Sequence, residues 1–319
     1  MPNPSLKVQT WSGKFKTRVR FLKKYEIEKF IEDEKQILEK DDNWRPNMLT
    51  FSGPEAVLER VLCNWNILRP KNITTVQTYE KLSQNHNGKQ ILNKLIRTRR
   101  NHLAGMDIWP YNFHSFSNKY KASGCSYPSS SKTAVWNKNP YKSFMKRIVE
   151  KDTKKFGILD LDLCGIFSKK NSDSVINLFK HKVIDEGGVC FITHQKGRDV
   201  RGGKLFSVLH DYLKNCGLID FDSIPDIDTE GHETYVARYF LIPLYYMCKI
   251  YEYGYVVKLT RLVEYRDKNK SSGLAVNMLQ YFFTWRDSFA ITDPHEEFKA
   301  NIQEVLDDSY TYNNWIDAE

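Results

Sequence analysis

Long hydrophobic runs are missing from this sequence. The longest apolar-looking segment, Tyr239 to Met247, is flanked by charge and falls well short of the ~20 residues that a membrane span needs. No signal-peptide pattern opens the chain, so an intracellular, cytoplasmic protein without a membrane partner is expected. Paired cysteine motifs are missing as well. Cys63, Cys125, Cys164, Cys190, Cys216 and Cys248 are scattered, with no CxxC pair and no histidine at zinc-finger spacing. That pattern argues against disulfides and against a metal site, and for buried thiols in a reducing compartment. Glycine and proline are sparse, 16 and 11 of 319 residues, and there is no internal repeat or low-complexity tract. Intrinsic disorder is excluded as a description of the whole chain.

What is present is apolar residue to build a core (41%, with 13% aromatics) and an excess of positive charge, +9 net. The charge is uneven. Basic residues crowd Lys14 to Lys29, Lys89 to Arg100, Lys138 to Lys155 and Lys196 to Lys204, whereas Glu296 to Glu319 is acidic. Basic patches of this kind favour a polyanionic partner, and RNA or DNA is expected. The candidate contacts are Lys16, Arg18, Arg20, Arg97, Arg99, Arg100, Lys196, Arg198 and Arg201, with Lys23 and Lys24 beside the first group. A lysine-rich solvated surface explains the same charges without any partner. The Asn-, Lys- and Ile-rich character suits an AT-rich genome such as that of a virus or phage.

The chain organises around Phe156-Gly-Ile-Leu-Asp-Leu-Asp-Leu-Cys-Gly165, an apolar run that ends in two carboxylates and a glycine. A buried parallel strand whose carboxyl end opens onto a site reads this way. A helical pattern (Val175, Ile176, Phe179, Val183) and a second run, Gly187 to His194, complete a βαβ unit. Two carboxylates at a strand end are costly unless hydrated or bound, which makes Asp160 and Asp162 the leading catalytic candidates. His194, at the next strand end, is either a base or a polar cap on that strand.

Upstream, Met48 to Phe51 reads as a strand, followed by Ser52-Gly53-Pro54 and a helical pattern from Ala56 to Trp65. A strand, glycine turn and helix leave backbone N–H groups at the helix start, where an anionic group can sit. The single glycine is a weaker signal than GxGxxG. Ile73 to Tyr79 is a β-branched strand that runs into Glu80, at the distance where a ribose diol is held. Asp107 marks the end of a third strand. Trp109 to Pro140 is aromatic and aperiodic, and reads equally well as a base-stacking insert or as a folded insert anchored by its rings. Helices are expected over 204–215 and 235–253, the latter kinked or divided by Pro243, and a β-hairpin over 254–285 closes the series. The expected organisation is a basic N-terminal extension (1–46), an α/β domain (47–290, insert about 109–140) and an acidic C-terminal tail (291–319).

This order of elements resembles the class I S-adenosylmethionine-dependent methyltransferases over roughly residues 46–286. Thr50-Phe-Ser-Gly-Pro-Glu-Ala-Val-Leu-Glu-Arg60 and Phe156 to Gly165 are similar to the cofactor loop and the Asp-Pro-Phe-Gly stretch of tRNA guanine-N2 methyltransferases. The resemblance implies a Rossmann-like α/β fold with a C-terminal antiparallel hairpin, S-adenosylmethionine as cofactor and methyl transfer to nucleic acid. It implies that Phe51, Ser52, Gly53, Pro54 and Asp160 line the cofactor. Glu80 would hold its ribose, Asp107 would lie on the adenine side, and Asp162 would stand beside the target amine. Leu163 stands where that family has proline, and Cys164 where it has an aromatic residue. Those two departures raise a second expectation: a catalytically inactive chain that keeps the fold and binds nucleic acid or a protein.

Overall fold

The computed structural model describes residues 14–51, 56–77, 107–112, 155–163, 166–196, 204–224, 235–268 and 275–316. Among these, eight strands form one sheet: β1 (Met48–Thr50), β2 (Ile73–Gln77), β3 (Asp107–Asn112), β4 (Phe156–Asp162), β5 (Ile184–Gln195), β6 (Tyr255–Lys268), β7 (Ala275–Asp287) and β8 (Thr311–Trp315). Their order is β3-β2-β1-β4-β5-β7-β6-β8. The first five strands run parallel, β7 is antiparallel to both β5 and β6, and β8 is parallel to β6. The fold is therefore α/β, with a mixed, mostly parallel sheet, an arrangement consistent with a Rossmann-like fold.

Both faces of the sheet are covered, as parallel strands with two apolar faces require. On one face lie α1 (Lys14–Ile37) and α2 (Val57–Asn64), whose Val19, Ile27, Ile31, Leu58 and Leu62 pack on Met48, Ile158, Phe191 and Phe282. On the other lie α3 (Lys169–Lys180), α4 (Lys204–Cys216), α5 (Ile242–Tyr251) and α6 (Pro294–Leu306). Their Val175, Phe179, Leu213, Tyr246 and Phe298 meet Leu159, Leu161, Cys190, Ile192 and Tyr281. Among the described residues no helix is long and apolar enough to cross a membrane.

Two sequence expectations change. Residues 291–319 are not simply an acidic tail: α6 buries Phe298, Ile302 and Val305, and β8 adds an edge strand from Arg261↔Thr311 to Tyr265↔Trp315. The aperiodic insert begins inside β3, whose Pro110 is tolerated because β3 is an edge strand. The remainder of the insert lies outside the described residues.

Pro243 divides its helix as the pattern suggests. Ala237–Leu241 winds as a π-helix and α5 follows with the proline in its first turn. Proline has no N–H, so the carbonyl four residues back needs another donor. Tyr310 supplies it, its hydroxyl donating to the Tyr239 carbonyl at 3.2 Å, and Tyr281 does the same for Arg238 at 2.8 Å.

Burial pushes the Asp185 carboxyl, early in β5, up to about 6, and the nearby Glu186 and Glu34 add to the effect against Lys155 and Lys40. A folded-state value above the unfolded one means that the native state holds the proton more tightly. The ionised form therefore costs stability above pH 6, and that cost vanishes as the pH falls towards 4. The full shift corresponds to at most about 3 kcal/mol. Asp185→Asn is expected to stabilise the protein by about 1–2 kcal/mol at pH 7.5, because the amide returns part of the gain through its own burial. Urea midpoints at pH 7.5 and pH 4 test this, since the gain should be absent at the lower pH.

Candidate functional site

The carboxyl half of β4 carries the site. Its register against β5 shifts between Phe156 and Ile158, at Gly157. Beyond that point side chains alternate strictly. Leu159, Leu161 and Leu163 enter the core under α3 to α5, while Ile158, Asp160 and Asp162 face α1. The two carboxylates thus share one face, as a spacing of two along a strand dictates.

Helix α1 lies over them. It runs against the direction of β4, with its first turns at the carboxyl end of the sheet and Glu34 near the amino end of β5, where it meets Arg286 at 2.5 Å. Its sheet-facing stripe reads Lys16, Val19, Lys23, Ile27, Phe30, Glu34, and each charged member has a partner. Lys23 Nζ donates to Asp160 Oδ1 at 2.6 Å, with only 8% and 12% of the two side chains exposed. The same ammonium lies 5.8 Å from the Phe191 ring centre. Lys16 Nζ is 3.2 Å from Asp162 Oδ2 and 3.3 Å from Asp267 Oδ2, bridging β4 to β6.

From Asp162 a polar row crosses the sheet. Asp162 pairs with Thr193 of β5, which pairs with Gln280 of β7. Thr193 Oγ1 donates to Gln280 Oε1 at 2.5 Å. Gln280 Nε2 and Asp267 Oδ1 are buried without a hydrogen-bond partner among the described residues. A buried polar atom left unpaired costs about 1–3 kcal/mol, so each invites a bound molecule or solvent.

The site sits at the topological switch of the sheet. β1 has β2 on one side and β4 on the other, and the crevice above such a switch is where open α/β sheets take ligands. Phe51, half-buried at the end of β1, donates its N–H to the Asp160 carbonyl at 3.1 Å, which zips the two strand ends together. Thr50 Oγ1 donates to the buried Glu59 of α2 at 2.9 Å, tying the same end to the helix that follows.

Other expectations are corrected. Asp107 is the first residue of β3, opposite Thr74, and so lies towards the amino edge of the sheet instead of at a strand end over the site. His194 is on the opposite face from the Asp pair, 1% exposed, with its Nε2 3.1 Å from the Tyr246 hydroxyl and Phe167 edge-on at 5.4 Å. It is a core histidine, separated from the carboxylates by the sheet. Lys16 and Lys196, expected on phosphates, are bound into the protein. Lys196 pairs with the buried Glu264, which also accepts from the Tyr239 and Tyr312 hydroxyls. Arg18 is exposed and Arg20 half-buried on α1. Ser52, Gly53, Pro54, Glu80, Arg97, Arg99, Arg100, Arg198 and Arg201 lie outside the described residues.

The residues that sequence reasoning missed are Lys23, Thr193, Gln280 and Asp267 as members of one site. Lys23 left a signal: it falls four residues after Val19 and four before Ile27, on the apolar stripe. Among the described residues no group of three or more His, Cys, Asp and Glu side chains is arranged to hold a metal ion. No family model matches the chain, and no curated protein matches it in sequence.

Proposed function

We propose that this chain is an S-adenosylmethionine-dependent methyltransferase that acts on nucleic acid. The observation that carries the reading is the strand order β3-β2-β1-β4-β5-β7-β6 with β7 alone reversed, combined with two carboxylates at the β1/β4 switch. The resemblance of the sequence implies a parallel sheet closed by an antiparallel hairpin, and the site lies where an α/β sheet takes a cofactor. The described residues fit the cofactor in part. Asp160 offers a carboxylate at the switch, and Phe51 follows β1 there with its ring packed towards the opposite face, while Glu80 and residues 52–54 complete the set by sequence. When bound, the cofactor supplies a methyl group on a sulfonium. Asp162 accepts a hydrogen bond from the N–H or O–H of the acceptor and holds it in line.

A second reading has its own observation. Lys23 and Lys16 already neutralise Asp160 and Asp162. In a non-catalytic descendant these ion pairs would simply weld α1 to the sheet. Calorimetric titration with S-adenosylmethionine and its demethylated product separates the two. The enzyme reading expects binding that Glu80→Ala weakens tenfold or more. It also expects that Asp162→Asn leaves cofactor binding intact and lowers transfer of labelled methyl groups to mixed RNA and DNA. If the folded wild type binds neither molecule at millimolar concentration, the enzyme reading is lost and the scaffold reading stands.

A further inference from the structure

We infer that the outer face of α1, with the end of α2, is a docking strip for single-stranded nucleic acid that leads to the carboxyl end of the sheet. Residues Arg18, Phe21, Tyr25 and Lys29 fall three or four apart and form one exposed stripe, opposite the face that holds Asp160 and Asp162. Phe21 is 56% exposed, Tyr25 59% and Trp65, just past α2, 65%. Lys24 Nζ, paired with Glu28 at 2.6 Å, lies over the Trp65 ring at 4.3 Å and so ties Trp65 to the same helix as Phe21 and Tyr25. Large aromatics left in water cost solvation, and a cluster of them beside cations marks a binding surface.

Charge selects the partner. Between Lys14 and Lys24 the helix carries six cations and no carboxylate, whereas between Tyr25 and Ile37 it carries five carboxylates and two cations. Cations in the first turns of a helix oppose its macrodipole, so helix stability does not account for them. Lys16 and Lys23 are used inside the site, whereas Arg18 is exposed beside the rings and Lys24 lies over Trp65 while pairing with Glu28. A polyanion with flat apolar faces satisfies both features at once. Phe21 and Tyr25 stand about 6 Å apart along the helix axis. That exceeds the roughly 3.4 Å rise between stacked bases, so successive bases must part to meet the two rings, which selects a single strand over a duplex. The basic end of the stripe is the end over Asp162, so a strand bound there approaches the site.

This inference rests on the nucleic-acid half of the proposed function and is independent of the cofactor. The test is fluorescence anisotropy of labelled 12-nucleotide single-stranded RNA and DNA and of a matched duplex, without cofactor. The proteins are the full-length wild type and its Phe21→Ala/Tyr25→Ala, Trp65→Ala, Arg18→Glu and Phe289→Ala variants. Single-strand binding should exceed duplex binding and weaken about 5-fold or more for each ring removed. It should also weaken for Arg18→Glu and stay unchanged for Phe289→Ala, a still more exposed ring outside the strip. Absence of binding, aromatic variants that bind like wild type, or equal or tighter duplex binding would overturn the strip. Capture of polyglutamate with no response to oligonucleotide would also overturn it, making this face a protein-docking surface. A failed cofactor titration with normal oligonucleotide binding removes only the enzyme reading, and the converse removes only the strip.

Discussion

Lys23→Met is expected to destabilise the protein by about 3–5 kcal/mol, because it leaves the Asp160 carboxylate buried beside Phe191 with its cation gone. The size of the effect comes from desolvation, since the methionine fills much the same volume as the lysine stem. A surface ion pair of the same length would be worth at most about 1 kcal/mol. Asp160→Leu alone should be costly for the mirror-image reason, a buried ammonium without its acceptor. The Lys23→Met/Asp160→Leu double variant should recover most of the loss, as buried pairs replaced by apolar residues commonly do. Urea unfolding of the four proteins gives the coupling energy directly. Additive single effects would mean that solvent reaches the pair. The double variant is also informative for function: it keeps α1 docked through Val19, Ile27, Phe30 and Ile31 while stripping the charge from the switch point.

The sheet was largely legible and the site only half so, for a physical reason. β4, β5 and the β6–β7 hairpin bury alternate or continuous apolar residues, a signal written into consecutive positions. The elements hidden in the tail failed the same test. The apolar stripe of α6 is only Phe298, Ile302 and Val305 among many charges, and β8 is a polar edge strand with little to bury. The Asp pair stood out because carboxylates interrupt an apolar run. Its lysine partners did not, since a lysine in a basic helix reads as surface until the helix is docked. His194 shows the limit most clearly. It sits one residue beyond Thr193, which reaches the polar row, and that single step in a strand sends it to the other face. Which face holds the site follows from the cross-strand register, and the register is a property of the assembled sheet.

Gly188→Ala is the substitution expected to damage the fold most directly. A Cβ at that position would lie 2.2 Å from the Gly157 carbonyl oxygen and 2.2 Å from Cζ2 of Trp285. The first is backbone of the neighbouring strand and the second a nearly buried ring, 3% exposed, whose indole N–H is fixed by donating to the Asp185 carbonyl at 3.0 Å. Neither can rotate away, so relief requires that β4 and β5 separate or that Trp285 leave its place. Ordinary overpacking costs about 1–3 kcal/mol, and with backbone as the obstacle the cost should reach or exceed the top of that range. The consequence reaches the site, because the Gly157 shift is where β4 sets the alternation that turns Asp160 and Asp162 towards α1. Glycine is needed here for close approach of strand and ring. Near-UV circular dichroism and tryptophan emission should report the displaced ring, together with a fall in the urea midpoint. A variant with wild-type spectra and stability would show that β4 and β5 are not held this closely, and the derived facing of the carboxylates would fall with it.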